Sequence, residues 1–239
     1  MEQTIFCLRK PYQMVKETEI ISTEPKEKEI LIGIKVRGIC GSDILAYQGK
    51  HVLLSFPRVL GHEFSGIISQ TGKKVKNFYK EERVSVEPNI VCGKCYNCLH
   101  GRYNICNYLK VIGCVGYNGA FAQYIAVPQN KVIKLPQEIS FEEGALIEPT
   151  AVAVHAVRKS KQKIGDKVLI LGAGPIGLLI MQVAKVSGAG EIIITDLLDY
   201  RLKKAEELGA DKIVNSVSRD LVEFIRETYG ENGIDLIYE

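Results

Sequence analysis

The sequence is short of net charge. Its 31 Lys and Arg against 28 Asp and Glu leave +3, spread along the chain. That balance is too weak and too dispersed to make nucleic acid or an anionic membrane the main partner. No targeting signal is expected: the opening MEQTIFCLRK has neither the basic start nor the long apolar stretch of a signal peptide. No run of apolar residues reaches the roughly 20 needed to span a bilayer. One uncharged run of seventeen residues, 168–184, carries Gly172, Gly174, Pro175 and Gly177 and reads as a buried strand, a tight turn and a buried helix start. Tryptophan, internal repeats and low-complexity linkers are absent. At 46% hydrophobic and 25% charged residues, the 239-residue composition excludes disordered, collagen-like and fibrous chains. What remains is the expectation of a cytoplasmic globular protein with no membrane or nucleic-acid partner. Its seven cysteines would be reduced, a setting in which they more often bind metal than pair.

Two rhythms divide the chain. Up to about residue 140 short strands dominate, at 29–39, 59–70, 83–87, 121–127 and 131–135, punctuated by glycine and proline. From about 141 the period changes. A helix is predicted over 141–159, bent or interrupted by Pro149. Strands at 168–171, 191–195, 212–215 and 235–238 then alternate with helices at 175–187, 199–208 and 217–229. Such alternation means βαβ units and a parallel sheet. The predicted class is α/β: a small β domain over residues 1–150, then part of a doubly wound dinucleotide-binding domain over 151–239. That sheet usually has six strands in the order 3-2-1-4-5-6. Four are predicted here, so two more βα units of roughly 30 residues each would complete it. The expectation is a C-terminally truncated chain, which otherwise leaves an apolar strand edge exposed.

The densest chemistry is Cys92-x2-Cys95-x2-Cys98-x7-Cys106, four thiols within fifteen residues. Two-residue gaps let one turn aim successive sulfurs at one point, and Zn2+ takes four thiolates tetrahedrally. Four cysteines leave no open position, so such a site in a lobe over 90–108 is structural and folds a loop with little core of its own. The alternative is two disulfides or free thiols. Next comes Gly172-Ala-Gly174-Pro175-Ile176-Gly177, which follows the strand VLIL and opens a helix. In that context the first glycine permits the turn and the second lets backbone approach a pyrophosphate. The third lets the helix sit close to the sheet. Asp196 ends the next strand, where a carboxylate would grip the adenine ribose 2′-hydroxyl and repel the extra phosphate of NADP, so NAD is expected. Arg201, on the helix that follows, completes the residues assigned to the cofactor. The alternative is a glycine turn in a non-binding α/β domain.

A third signal is dispersed: Cys40-Gly-Ser42-Asp43, Gly61-His62-Glu63 and Glu148-Pro149. Singly each is weak. Together they offer a sulfur, an imidazole and two carboxylates, and an open catalytic zinc site needs three protein ligands plus water or substrate. CGSD, GHE, the four-cysteine lobe, EP before a helix and GAGPIG occur in this order. The chain resembles the zinc-dependent medium-chain alcohol and polyol dehydrogenases, which include sorbitol and threonine dehydrogenases. The resemblance covers the whole chain but only about the first two thirds of a family member.

It implies a GroES-like β domain followed by an incomplete Rossmann domain, two Zn2+ per chain, NAD and a small-molecule alcohol or polyol substrate. It implies a homo-oligomer for the full-length enzyme and assigns no oligomeric state to this chain. Cys40 and His62 would hold the catalytic zinc, with Glu63 or Glu148 at the third position. Asp43 would accept a hydrogen bond from the zinc-bound imidazole. Ser42 would take the substrate proton. Leu45 stands where a histidine often passes that proton on, and His51 is the nearest substitute in sequence. The expected reaction is reversible, NAD-linked oxidation of a secondary alcohol of a polyol or sugar derivative to its ketone. Three rivals are an inactive zinc-binding fragment, a zinc-ribbon nucleic-acid module and a zinc-free quinone reductase of the same fold. Low net charge and the GAGPIG context oppose the second; CGSD, GHE and the thiol cluster oppose the third.

Overall fold

A computed structural model describes residues 1–231 and 233–239. The chain divides into two compact units, Met1–Glu148 and Pro149–Glu239.

The first unit opens with a hairpin, β1 (Glu2–Lys10) and β2 (Gln13–Ile20), followed by β3 (Glu29–Arg37) and the short helix α1 (Gly41–Tyr47). β4 (Arg58–Val59), β5 (Phe64–Thr71), β6 (Arg83–Val86) and β7 (Asn89–Ile90) come next. The lobe holds α2 (Tyr96–Leu99), and β8 (Lys110–Ile112), β9 (Gly116–Tyr117), β10 (Tyr124–Pro128) and β11 (Val132–Lys134) complete the strands. Five of these form one antiparallel sheet in the order β10-β3-β5-β6-β11. Its inward side chains, among them Ile30, Ile32, Phe64, Ile68, Val84 and Val127, make the unit's main core. β2-β1-β4 and β7-β8-β9 are smaller sheets.

α3 (Phe141–Ser160) leads into the second unit. There β12 (Lys167–Leu171), α4 (Pro175–Val186), β13 (Glu191–Asp196), α5 (Asp199–Glu207), β14 (Lys212–Asn215), α6 (Leu221–Tyr229) and β15 (Leu236–Tyr238) alternate. The strands are all parallel, in the order β14-β13-β12-β15. Both sheet faces are buried, Ile170, Ile192 and Ile194 with Met181 on one and Leu169, Ile193 and Val214 with Phe224 on the other. Near-continuous apolar strands are what two covered faces require. Among the described residues no helix is long and apolar enough to cross a membrane.

Four expectations change. The run at 59–70 is not one strand: Leu60 to Glu63 interrupt it, and Gly61 lies at φ +94°. The strand expected from 121 starts at Tyr124, because Phe121 and Ala122 bond to Phe6 and Ile5 of β1 instead. The helix expected from 217 begins at Leu221, where Asp220 caps it by accepting from the Glu223 N–H at 2.8 Å. Of the two effects expected of Pro149, interruption does not occur: α3 continues through it.

Candidate functional site

Cys40 leads into α1. Its N–H donates to Oδ2 of Asp43 at 2.9 Å. The other Asp43 oxygen accepts from the Gly61 N–H at 3.3 Å. One carboxylate, 5% exposed, thus ties the Cys40 turn to the segment carrying His62 and Glu63. Gly61 is required there: a Cβ would stand 2.5 Å from the Phe121 ring, and Gly113 and Gly119 pack directly on its carbonyl. The result is that donor atoms of Cys40, His62 and Glu63 lie within 4.8 Å of one another.

The charges fit a cation. Burial alone would push the His62 imidazole down, but the Cys40 thiol, Asp43 and Glu148 lift it to about 9. His62 in turn holds the Cys40 thiol below its ordinary value, with the Ser42 hydroxyl helping against burial. Burial raises the carboxyls of Glu63 and Glu148, and each stands within electrostatic reach of His62. Glu148 lies outside the three-residue group. Nδ1 of His62 is buried with no hydrogen-bond partner among the described residues. Oδ1 of Asp43 is 3.9 Å from it, beyond hydrogen-bond range. Both Asp43 oxygens accept from backbone N–H groups, and Oδ1 still has a lone pair facing the imidazole side. Thiol, imidazole and carboxylate are the donor types of an open zinc site.

A second group joins Cys92, Cys95, Cys98 and Cys106, also within 4.8 Å. All seven cysteines are free thiols. Sγ of Cys92 is 4.0 Å from that of Cys98, and Sγ of Cys95 is 3.9 Å from that of Cys106. Four sulfurs about 2.3 Å from one zinc would stand roughly 3.8 Å apart. Backbone N–H groups of Cys95 and Tyr108 point at Cys92 and Cys106 sulfurs at 3.3 and 3.4 Å. Backbone donors lower Cys95 to about 6, while desolvation and neighbouring thiols push Cys98 up to about 12. Such a cluster ionises fully only around a cation.

In the second unit the three glycines serve three ends. Gly172 lies at φ +107° and Gly174 leads into α4, and a Cβ on either would meet open space. A Cβ on Gly177 would overlap the Gly172 carbonyl oxygen. Pro175 and Ile176 form the exposed start of α4. At the end of β13, the Asp196 carboxylate accepts from the N–H groups of Ala173 (2.9 Å) and Leu198 (3.0 Å), and the Arg201 guanidinium lies 3.4 Å away. Despite partial burial, these donors hold Asp196 below the usual carboxylate range.

Residues 26–137 match the family described as alcohol dehydrogenase GroES-like domain, and residues 175–239 match zinc-binding dehydrogenase. The chain is 40% identical over 214 residues to a sorbitol dehydrogenase of Bacillus subtilis, covering 88% of this chain and 61% of that relative. It superposes on a zinc-binding dehydrogenase of Sinorhizobium meliloti solved with NADP, with TM-score 0.94 and 33% identity, over 99% of this chain and 69% of that one. An alcohol dehydrogenase of Escherichia coli solved with NADH gives TM-score 0.87 and 37% identity, over 95% and 66%. The chain belongs to the zinc-binding alcohol dehydrogenase family. It spans about three fifths of the length of the sorbitol dehydrogenase it matches.

Within this family frame, two features were not read from the sequence. Gly38 makes room for the Glu63 side chain, as a Cβ there would overlap its Oε2. Cys114 stands with Sγ 3.2 Å from Nε2 of His51, whose Nδ1 is buried and unpartnered among the described residues. A close approach of backbone has no local signature, although glycine beside a ligand motif is a usable hint. His100 bonds to the Tyr96 carbonyl at 2.7 Å and stays outside the thiol group.

Proposed function

We propose that this chain is the zinc- and nucleotide-binding part of an NAD-linked dehydrogenase that interconverts a secondary alcohol of a polyol or sugar derivative and its ketone. The observation that carries the reading is the approach of Cys40, His62 and Glu63 donor atoms to within 4.8 Å of one another. Cys40, His62 and Glu63 would hold one zinc, with Glu148 able to exchange at the carboxylate position; Cys92, Cys95, Cys98 and Cys106 would hold the other. When bound, the first ion supplies Lewis acidity to a substrate hydroxyl, and NAD supplies the hydride acceptor.

The chain's own residues do the rest. Ser42 takes the hydroxyl proton at Oγ. Asp43 holds the Cys40 and His62 segments in register through its two backbone bonds. The backbone of Gly172 and Gly174, free of side chains, receives the pyrophosphate at the start of α4. Asp196 accepts from the ribose hydroxyls and disfavours a 2′-phosphate, which favours NAD. A carboxylate ligand in place of a second thiolate makes the ion site harder, which suits a polyhydroxylated substrate. A sorbitol dehydrogenase among the relatives supports the same substrate class.

Metal content per chain tests the reading. Two zincs are expected, falling to one in Cys40→Ser with the fold retained; an unchanged count overturns the assignment. Incubation with NAD and a polyol panel should yield NADH. Two bound zincs without NADH above background would favour the alternative, an inactive zinc-binding fragment.

A further inference from the structure

The start of α3 is pinned to the β5 side of the first unit by three contacts the proposed chemistry does not use. Ser65, fully buried on β5 two residues after Glu63, donates its hydroxyl to the Phe141 carbonyl at 2.5 Å. Gly144, four residues before Glu148, lets the helix come down onto Ser65. A Cβ there would stand 3.0 Å from the Ser65 Cβ and 2.6 Å from Cδ1 of the buried Leu135. Arg83 on β6 clamps the approach, donating to the carbonyls of Pro136 (3.3 Å), Gln137 (2.8 Å) and Ile139. Its guanidinium also lies 4.5 Å over the Phe141 ring. Glycine inside a helix is destabilising relative to alanine, and close approach is what it provides here. Residues four apart share a helix face, so the face pressed on Ser65 is also the face that bears Glu148, which is within electrostatic reach of His62 and Glu63.

We propose that Ser65, Gly144 and Arg83 are positioning residues that hold α3 at the depth where the Glu148 carboxylate acts on the Cys40–His62–Glu63 ion, and so set how tightly that ion is held. This rests on the zinc assignment above. Ser65 fixes the height of the first turn, Gly144 removes the bulk that would lift it, and Arg83 keeps the turn that enters the helix from sliding. Glu148 acts on the ion through its charge, and the three others act only through Glu148.

The test is a double-mutant cycle read by zinc release from the full chain to a chromogenic chelator. The four-thiolate ion serves as the internal reference and as the check on folding. Gly144→Val and Glu148→Gln are each expected to speed release of the other ion on the order of tenfold, as outer contacts of metal sites do. The double variant should release it no faster than either single one. Leu135→Ala, by opening space beside the substituted helix position, should restore slow release in the Gly144→Val background. Multiplying effects in the double variant, or singles that release at the rate of the unmodified chain, would overturn the inference. If Gly144→Val fails to fold, Ser65→Ala replaces it in the same cycle with the same outcomes. An unmodified chain that binds only one zinc defeats the zinc assignment and this inference together. Two zincs with multiplying effects defeat this inference alone.

Discussion

Gly38 and Glu63 are matched in shape: the Gly38 N–H donates to the Glu63 carbonyl at 2.7 Å, and the space a Cβ would take at Gly38 is filled by the Glu63 carboxylate. Adding one methyl must displace that carboxylate or the strand end. Gly38→Ala is therefore expected to cost about 1–3 kcal/mol of stability, as overpacking does. It should also lower the zinc count from two to one while sparing the four-thiolate ion. Glu63→Ala in the same background should recover the stability and leave the count at one. A Gly38→Ala chain that keeps both ions would show that the site does not depend on the Glu63 carboxylate staying in place, as exchange with Glu148 would allow.

Asp43 bears on the same ion differently. Its two oxygens accept from Cys40 and Gly61 N–H groups, and burial raises its carboxyl while those donors oppose the rise. Asn is nearly isosteric but has one acceptor oxygen, so one buried N–H would face an amide donor. Leaving a buried donor unsatisfied costs about 1–3 kcal/mol. Asp43→Asn should lower the unfolding midpoint in urea accordingly and loosen the Cys40–His62–Glu63 zinc by about ten- to a hundredfold, a range typical of outer-shell changes. Unchanged zinc affinity with lowered stability would confine Asp43 to the fold.

The second unit was largely legible because its signals are local. β14 runs Lys212–Asn215 as read from the sequence, and β12 and β13 differ by one residue at an end. Apolar β-branched runs between amphipathic helices leave little choice. The opening hairpin was missed for a physical reason: its turn uses Pro11 and Tyr12, with Tyr12 at φ +61°, where glycine or asparagine would have announced it. α1 has seven residues, too few for helical periodicity to register. At the candidate site, Cys40, His62 and Glu63 were legible by type and motif. The residues that place the carboxylates, Gly38 beside Glu63 and Ser65 and Gly144 beneath the helix of Glu148, were not, because each acts on a segment far away in the chain.

Coenzyme choice should follow Asp196. Its carboxylate is held by Ala173 and Leu198 N–H groups beside Arg201. A 2′-phosphate brought to this end of β13 would meet a carboxylate kept ionised by those donors. Asp196→Ser removes the charge, retains an acceptor and leaves Arg201 free to face a phosphate. NADP binding should strengthen relative to NAD by about tenfold, or 1.4 kcal/mol, measured by nucleotide fluorescence titration at matched ionic strength. A ratio that does not move would place the discrimination elsewhere.

The cysteine lobe should depend on its ion far more than the sheets do. Between Cys92 and Cys106 only Cys106 is buried, while Tyr96, Leu99, Tyr103 and Ile105 are exposed. The lobe thus has almost no apolar core to hold its turns together. Its order comes from four converging sulfurs and the N–H groups that point at them, and without a cation those sulfurs cannot all ionise. Prolonged chelation is expected to abolish amide protection across the lobe while β3, β5 and β6 keep theirs, as read by hydrogen exchange. Cys95→Ser should reproduce that pattern without chelator, since three thiolates hold zinc less tightly than four. Protection that survives in the lobe after its zinc is gone would mean that backbone turns, and not the metal, carry its structure.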